Sequence, residues 1–220
     1  MFFGIRSVFV QSNEQRLSGG SPLRLKAAAF QMAVAILVAA AVWWGCFQLL
    51  SPIAGTDLLI DRLVFALKCA STAILLTFLT GIEAVAHERF TSAAFDPLAG
   101  KESHRLLIDL RYLQNTLEQI VLFVPGLLLL AAYSDGGSAM RAVVATTLVW
   151  MLARIAFWIG YHIGAQQRVA GLVGTAQSMI VLLYVCARFG YEVAGAWGAA
   201  VPLTLFALAE AVLVVLARRQ

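Results

Sequence analysis

The stretch Arg111-Tyr112-Leu113-Gln114-Asn115-Thr116-Leu117-Glu118 runs into an apolar segment from Ile120 to Ala132. That segment alone is too short to cross a bilayer, which takes roughly 20 mostly apolar residues. A spanning helix here must therefore include the polar turns before it. Spacings of four and then three place Arg111, Asn115 and Glu118 on one stripe of a 3.6-residue helix. Charge this close to hydrocarbon is costly, which points to a polar site between helices. Taken by itself, the segment also reads as a juxtamembrane anchor of solvated charges.

Composition sets the surroundings of that stripe. Apolar residues make up 61% of the 220 and charged residues 13%, with a mean hydropathy of +0.84, far from a soluble balance. Six apolar segments are long enough to span: Ala27–Leu50, Leu63–Ala86, Leu113–Tyr133, Met140–Ile163, Val169–Phe189 and Ala194–Leu216. The fold class predicted is an all-α integral membrane bundle. Met1 to Ser21 carries Arg6 within its first apolar residues and lacks the layout of a cleavable signal peptide. It is expected to be an amphipathic surface segment or a disordered tail.

The formal net charge of +4 is explained by topology. With the N-terminus in the cytoplasm, the inside segments hold Arg6, Arg16, Arg24, Lys26, Arg89, Lys101, Arg105, Arg111, Arg168, Arg218 and Arg219. The outside loops then hold only Arg62, Arg141 and Arg188. The positive-inside rule puts both termini in the cytoplasm. No basic, aromatic-interleaved soluble domain is present for nucleic acid. Cys46, Cys69 and Cys186 fall in separate apolar segments and read as buried hydrophobes rather than a disulfide framework. His87, His104 and His162 lack ligand spacing with cysteines or carboxylates, so no metal is expected. The longest connection is Ala86 to Asp109, with a turn signal at Asp96-Pro97 and Gly100. Gly160, Gly164, Gly171 and Gly174 suit close helix packing.

A second polar stripe lies in the fourth segment. Arg154, Phe157, Tyr161 and Arg168 sit at offsets 0, 3, 7 and 14, again on one helical face. Arg154 lies deeper than snorkelling easily allows and is expected to have a carboxylate partner. Arg168 falls on the same membrane side as Arg111, Asn115 and Glu118, so the two stripes are expected to converge in the inner half of the bilayer. Read alone, Arg168 is a loop cation that sets topology and Arg154 half of an inter-helix ion pair. Together the groups suit a small anionic ligand with an amine. Arginines recognise carboxylates bidentately, a glutamate accepts from an ammonium group, and a guanidinium beside a thiol favours the thiolate. Glutathione has all of these features, as do other zwitterions in part.

These residues resemble the MAPEG family, membrane-associated proteins in eicosanoid and glutathione metabolism. The family stripe Arg-x-x-x-Asn-x-x-Glu on its second helix is matched by Arg111, Asn115 and Glu118. The Ala-Arg and Gly-Tyr pairs of its third helix are matched by Ala153-Arg154 and Gly160-Tyr161. Arg168 follows that tyrosine by seven residues, as does the arginine that activates the glutathione thiol in the leukotriene-synthase branch. Arg89 resembles the family's first-helix arginine. The resemblance covers about residues 63–189, a four-helix core, and leaves 1–26 as a cytoplasmic tail, with extra transmembrane helices over 27–50 and 194–217.

The resemblance implies a homotrimer with glutathione held between subunits and open to the cytoplasm, and a lipophilic small-molecule substrate arriving from membrane lipid. It implies that Arg111, Asn115, Glu118, Arg154, Tyr161 and Arg89 bind glutathione, as co-substrate, and that Arg168 is catalytic. Phe157 stands where well-studied members carry a polar aromatic or histidine, and Gln119 where eicosanoid enzymes can carry tyrosine. Pro125 comes later after the glutamate than in those enzymes. Eicosanoid chemistry is accordingly not carried over. The function expected is a glutathione-dependent transferase or peroxidase, in the cytoplasmic (inner) membrane if the source is bacterial. The rivals are a non-catalytic protein whose stripes are structural ion pairs and a small transporter.

Overall fold

The computed structural model describes residues 22–164 and 167–218; the expected N-terminal tail, Met1 to Ser21, lies outside them. In chain order the elements are α1 (Pro22–Leu49), α2 (Leu59–Ile74), a π-helical turn (Leu75–Leu79), α3 (Thr80–Thr91), α4 (His104–Ala132), α5 (Gly136–Ile163), a 3₁₀ turn (Gln167–Leu172) and α6 (Val173–Ala217). The π turn joins α2 and α3 into one apolar rod, Leu59–Thr91. Five helical stretches are long and apolar enough to cross a membrane, and the protein is an all-helical membrane bundle.

The last stretch, Gln167–Ala217, has 51 residues, roughly 75 Å of helix at 1.5 Å per residue, against a hydrocarbon core of about 30 Å. It breaks at Ala194 and Gly195, where Gly195 has φ 60° and ψ −146°, a backbone that favours glycine. The chain turns sharply there. A Cβ on Gly190 would collide with the Gly198 carbonyl, and one on Gly198 with the Gly190 carbonyl. The six apolar segments of the sequence are thus all helical, with the last two lying on either side of this break.

Between lipid-embedded helices there is no hydrophobic driving force, so close packing and internal hydrogen bonds hold the bundle. Ala66, Ala70 and Ala73 form one small-residue stripe on α2. It packs in a cluster with Phe123, Leu127 and Ala131 of α4 and Met140, Val143 and Trp150 of α5. The Phe123 and Trp150 rings stack at 4.3 Å, worth about 0.5–1.5 kcal/mol beyond their contact area. Helix α5 is the hub, touching α1, α2, α4, α6 and the 3₁₀ turn.

Two boundaries differ from the sequence reading in ways that matter for the site. Helix α4 begins at His104, nine residues before the expected Leu113, because Ser103 caps it: Ser103 Oγ accepts from the Leu106 N–H at 3.0 Å. The same hydroxyl donates to Glu88 Oε1 at 2.7 Å, and the Arg105 guanidinium lies 3.7 Å from Glu88 Oε2. The connection from α3 to α4 is therefore shorter than Ala86 to Asp109, and it is tied at the α4 start to the end of α3.

Candidate functional site

Helix α4 carries two polar faces. One is the expected stripe: Arg111 and Glu118 are exposed on the chain and Asn115 is half-buried. Arg111 Nη1 donates to Gln114 Oε1 at 3.3 Å, and Gln114 Nε2 donates to Glu118 Oε1 at 3.4 Å. Both bonds are long, leaving most of the capacity of these groups unused. The other face runs Asp109, Tyr112, Thr116, Gln119 and Phe123, all buried against the bundle. The spacings of three and four that define the first face define this one as well, turned about 110° around the helix.

Arg154 meets the second face, not the first. It is 0% exposed. Its Nη2 donates to Thr116 Oγ1 at 3.0 Å, and the guanidinium lies 4.4 Å from the Phe157 ring centre and 5.6 Å from that of Tyr112. Its Nε and Nη1 are buried without hydrogen-bond partners, and among the described residues no carboxylate forms an ion pair with it. The expected carboxylate partner is replaced by two aromatic faces and a hydroxyl. Phe157, where a polar group was expected from the family pattern, serves as one of those faces. Aromatic quadrupoles favour a desolvated cation, but they do not neutralise it.

Tyr112 ties this cation to the rest of the site. Its hydroxyl donates to the Thr77 carbonyl at 3.0 Å, and its ring stacks on Trp158 at 5.1 Å. Trp158 Nε1–H in turn donates to Asp109 Oδ1 at 2.8 Å. His162 Nε2, 2.9 Å from the same oxygen, donates to it in the Nε2–H tautomer. Asp109, Tyr112, Thr116, Trp158 and His162 were not singled out from the sequence. The available signal was the second period of α4, in which Asp109, Tyr112 and Thr116 recur at three and four.

Arg168 and Tyr161 come together as their seven-residue spacing predicts, though not on one continuous helix. Helix α5 ends at Ile163, and Arg168 belongs to the 3₁₀ turn. Arg168 Nη1 donates to the Tyr161 hydroxyl at 2.9 Å, with the guanidinium 5.1 Å from the ring centre. The turn can reach back because of two glycines. A Cβ on Gly160 would lie 2.5 Å from the Gln167 carbonyl oxygen, and one on Gly171 would lie 2.5 Å from the Phe157 Cα. The guanidinium is exposed, and among the described residues its one hydrogen bond is to Tyr161.

Arg89 sits in the last turn of α3, half-buried, with Nε lacking a hydrogen-bond partner. By helix alternation Arg89, Arg111, Tyr161 and Arg168 lie at one end of the bundle. Within one chain, however, the structure does not merge the expected stripe with the second. Arg111 and Glu118 face outward and Asn115 is half-buried, while Arg154 lies inside. Asn115 Oδ1 and Gln119 Oε1 are buried without partners.

Architecture and site together define a helical membrane protein with a cationic, hydrogen-bonding end. The chain belongs to the MAPEG family, whose model matches residues 63–191, a family of membrane proteins in glutathione and eicosanoid metabolism. It is 36% identical over 85 residues to the uncharacterized protein sll1147 of Synechocystis sp. (strain ATCC 27184 / PCC 6803 / Kazusa). That match takes in 38% of this chain and 58% of the relative, so the chain spans less than two thirds of the relative's length. No solved structure matches the chain.

Proposed function

We propose that this protein is a membrane-embedded glutathione transferase or peroxidase that presents the glutathione thiolate to a lipophilic electrophile or hydroperoxide. The observation that carries the reading is the Arg168–Tyr161 pair, a solvent-facing guanidinium fixed by one hydrogen bond and one aromatic face, set in a family of glutathione metabolism. A cation held in this way stabilises a thiolate, the reactive form, at neutral pH.

In this reading Arg168 is the catalytic residue and Tyr161 positions it. Arg111 and Arg89 take the carboxylates, Asn115 the peptide backbone and Glu118 the ammonium group. Arg154 acts from beneath, orienting the Tyr112–Thr116 turn that carries Asn115 and adding positive potential. The outward stripe bears on assembly too. Arg111 and Glu118 are exposed on the single chain, and exposed charge at a lipid-facing helix is costly. A homotrimer that covers this face would place the stripe between subunits. Both termini would then lie in the cytoplasm, with the site opening to that side. The structural-ion-pair reading is less favoured, since among the described residues none of Arg111, Glu118 and Arg154 forms an ion pair.

The test is a glutathione titration of the detergent-purified protein, reading thiolate by ultraviolet difference absorbance near neutral pH beside Arg168→Ala. The expected result is a saturable thiolate signal, absent in the variant although calorimetry still detects binding. No signal and no binding in the parent protein would overturn the proposal.

A further inference from the structure

Two charges sit on apolar stretches of the bundle, and neither belongs to the site at the Arg168 end. Lys68 is exposed on α2, and Glu210 is exposed on the part of α6 beyond the Gly195 break. Among the described residues neither forms an ion pair. Charge on a spanning helix is costly and ordinarily faces a partner or a water-filled cavity. Glu210 lies about 10 Å from the Ala217 end of its helix and about 22 Å from Gly195, at 1.5 Å per residue. Its Cα–Cβ bond tilts toward the helix N-terminus, away from the nearer end. The short side chain therefore does not reach the headgroups.

The two charges come to similar depths. Arg62 of α2 donates to Ser134 and Asp135, and Tyr133 donates to Glu192 of α6, so both helices have an end at the α4–α5 turn. Gly190 and Gly198 lie so close that a Cβ on either would collide with the other's carbonyl. The chain thus doubles back at the break, and α2 and the second part of α6 enter the bilayer in the same direction. Lys68 comes six residues after Arg62 and Glu210 twelve after Gly198, depths of about 9 Å and 18 Å. Parallel helices pair a g position with the e position of the next heptad, a stagger of about 7.5 Å. The stagger here is about 9 Å, and the shallower residue is the one with the long, flexible stem.

The surrounding faces suit such a contact. Val64 and Ser71 flank Lys68 at four and three residues, and Phe206 and Leu213 flank Glu210 at the same spacings, so each charge lies on one uncharged helical stripe. All six residues are exposed. From 203 onward every described residue of α6 is exposed. Among the described residues α2 and α6 do not touch, so the pair does not form within one chain. We infer that the part of α6 beyond Gly195 docks on α2 of a second copy of this chain, with Glu210 paired to that copy's Lys68. The docking helix lies outside the part of the chain that matches the family. The contact is separate from the Arg111, Asn115 and Glu118 stripe of α4 and needs no glutathione.

The test is photo-cross-linking of the full chain in the membrane of the expressing cell, with p-benzoylphenylalanine in place of Leu213. A product of two-chain mass is expected, its link mapped by peptide mass spectrometry to 64–75. Lys68→Glu or Glu210→Lys alone sets like charges against each other and should lower the yield of that product at least about tenfold. The two reversals together should restore it to within about twofold of the parent, the mark of a direct pair. Products of one-chain mass only, whether the probe has reacted with lipid or with its own chain, would overturn the inference. So would a two-chain product linked elsewhere, single reversals that leave the yield unchanged, or a double reversal no better than the single ones. If a single reversal does not insert, the map of the parent decides by itself.

Discussion

The two ends of the bundle handle their polar groups in opposite ways. At the end where α4 passes to α5, polar groups are used up on one another. Arg62 Nη1 binds Asp135 Oδ1 at 2.6 Å and the Ser134 carbonyl at 2.9 Å, and Tyr133 meets Glu192 at 3.3 Å. Arg141 takes the Ser138 carbonyl at 2.8 Å. Among the described residues, Arg89, Asn115 and Arg154 bury polar atoms without partners toward the other end, Gln119, Trp150 and Gln177 do so nearer the middle, and Arg62 Nε does so at the stapled end. Buried polar groups in folded proteins are normally satisfied. Under the proposed function, a bound ligand would supply partners to those of Arg89 and Asn115.

That contrast can be broken most decisively at Arg168. Its removal should abolish the thiolate signal while changing glutathione affinity by about fivefold or less, roughly 1 kcal/mol. Parallel loss of both would make Arg168 a binding group, measurable by comparing calorimetry with absorbance.

Arg154 sharpens the contrast next. Replacing an unpaired buried cation by an apolar residue of similar size is often neutral or stabilising. Arg154→Met should therefore keep or raise the unfolding temperature in detergent while weakening glutathione binding about tenfold, roughly 1.4 kcal/mol. A steep fall in thermal stability would instead make Arg154 a structural clamp, and the two ends would differ less than described.

The stapled end should respond the other way. Arg62→Ala removes an ion pair and a carbonyl contact and should cost about 1–2 kcal/mol of stability, leaving the thiolate signal unchanged. The smallest effect is expected from Trp43→Phe. It deletes one hydrogen bond between α1 and α5, worth about 0.5–1 kcal/mol in a thermal melt, again without effect on glutathione.

The fold was legible because apolar length is a strong signal, and each of the six apolar segments is helical. Their limits were less so. The α4 start depended on a serine hydroxyl satisfying the Leu106 N–H, and capping leaves hydropathy unchanged. At the site, periodicity put Arg111, Asn115 and Glu118 on one stripe of α4, whereas Tyr161 and Arg168 meet across the end of α5 and not by helical period. It did not show which face of α4 turns inward. Arg154 therefore lacks its expected carboxylate and rests on Tyr112, Thr116 and Phe157. Asp109 went unread because its partners, Trp158 and His162, come from a helix about fifty residues away.

The π turn at Leu75–Leu79 carries a last consequence. A π turn houses one residue more than an α turn, so everything beyond it sits about 100° behind the bearing that an uninterrupted α-helix of the same sequence would give it. Glu88, which holds the Ser103 cap, and Arg89 both lie beyond it, and the Thr77 carbonyl within it receives the Tyr112 hydroxyl. The extra residue thus works as an angular offset, setting the compass bearing of one end of the rod independently of the other. Deleting a single residue there would leave the span apolar and long enough to cross the bilayer. With the turn closed to plain α-helix, Arg89 would keep its present heading, whereas tightening the turn to α-helix without a deletion would swing it by roughly a quarter-turn.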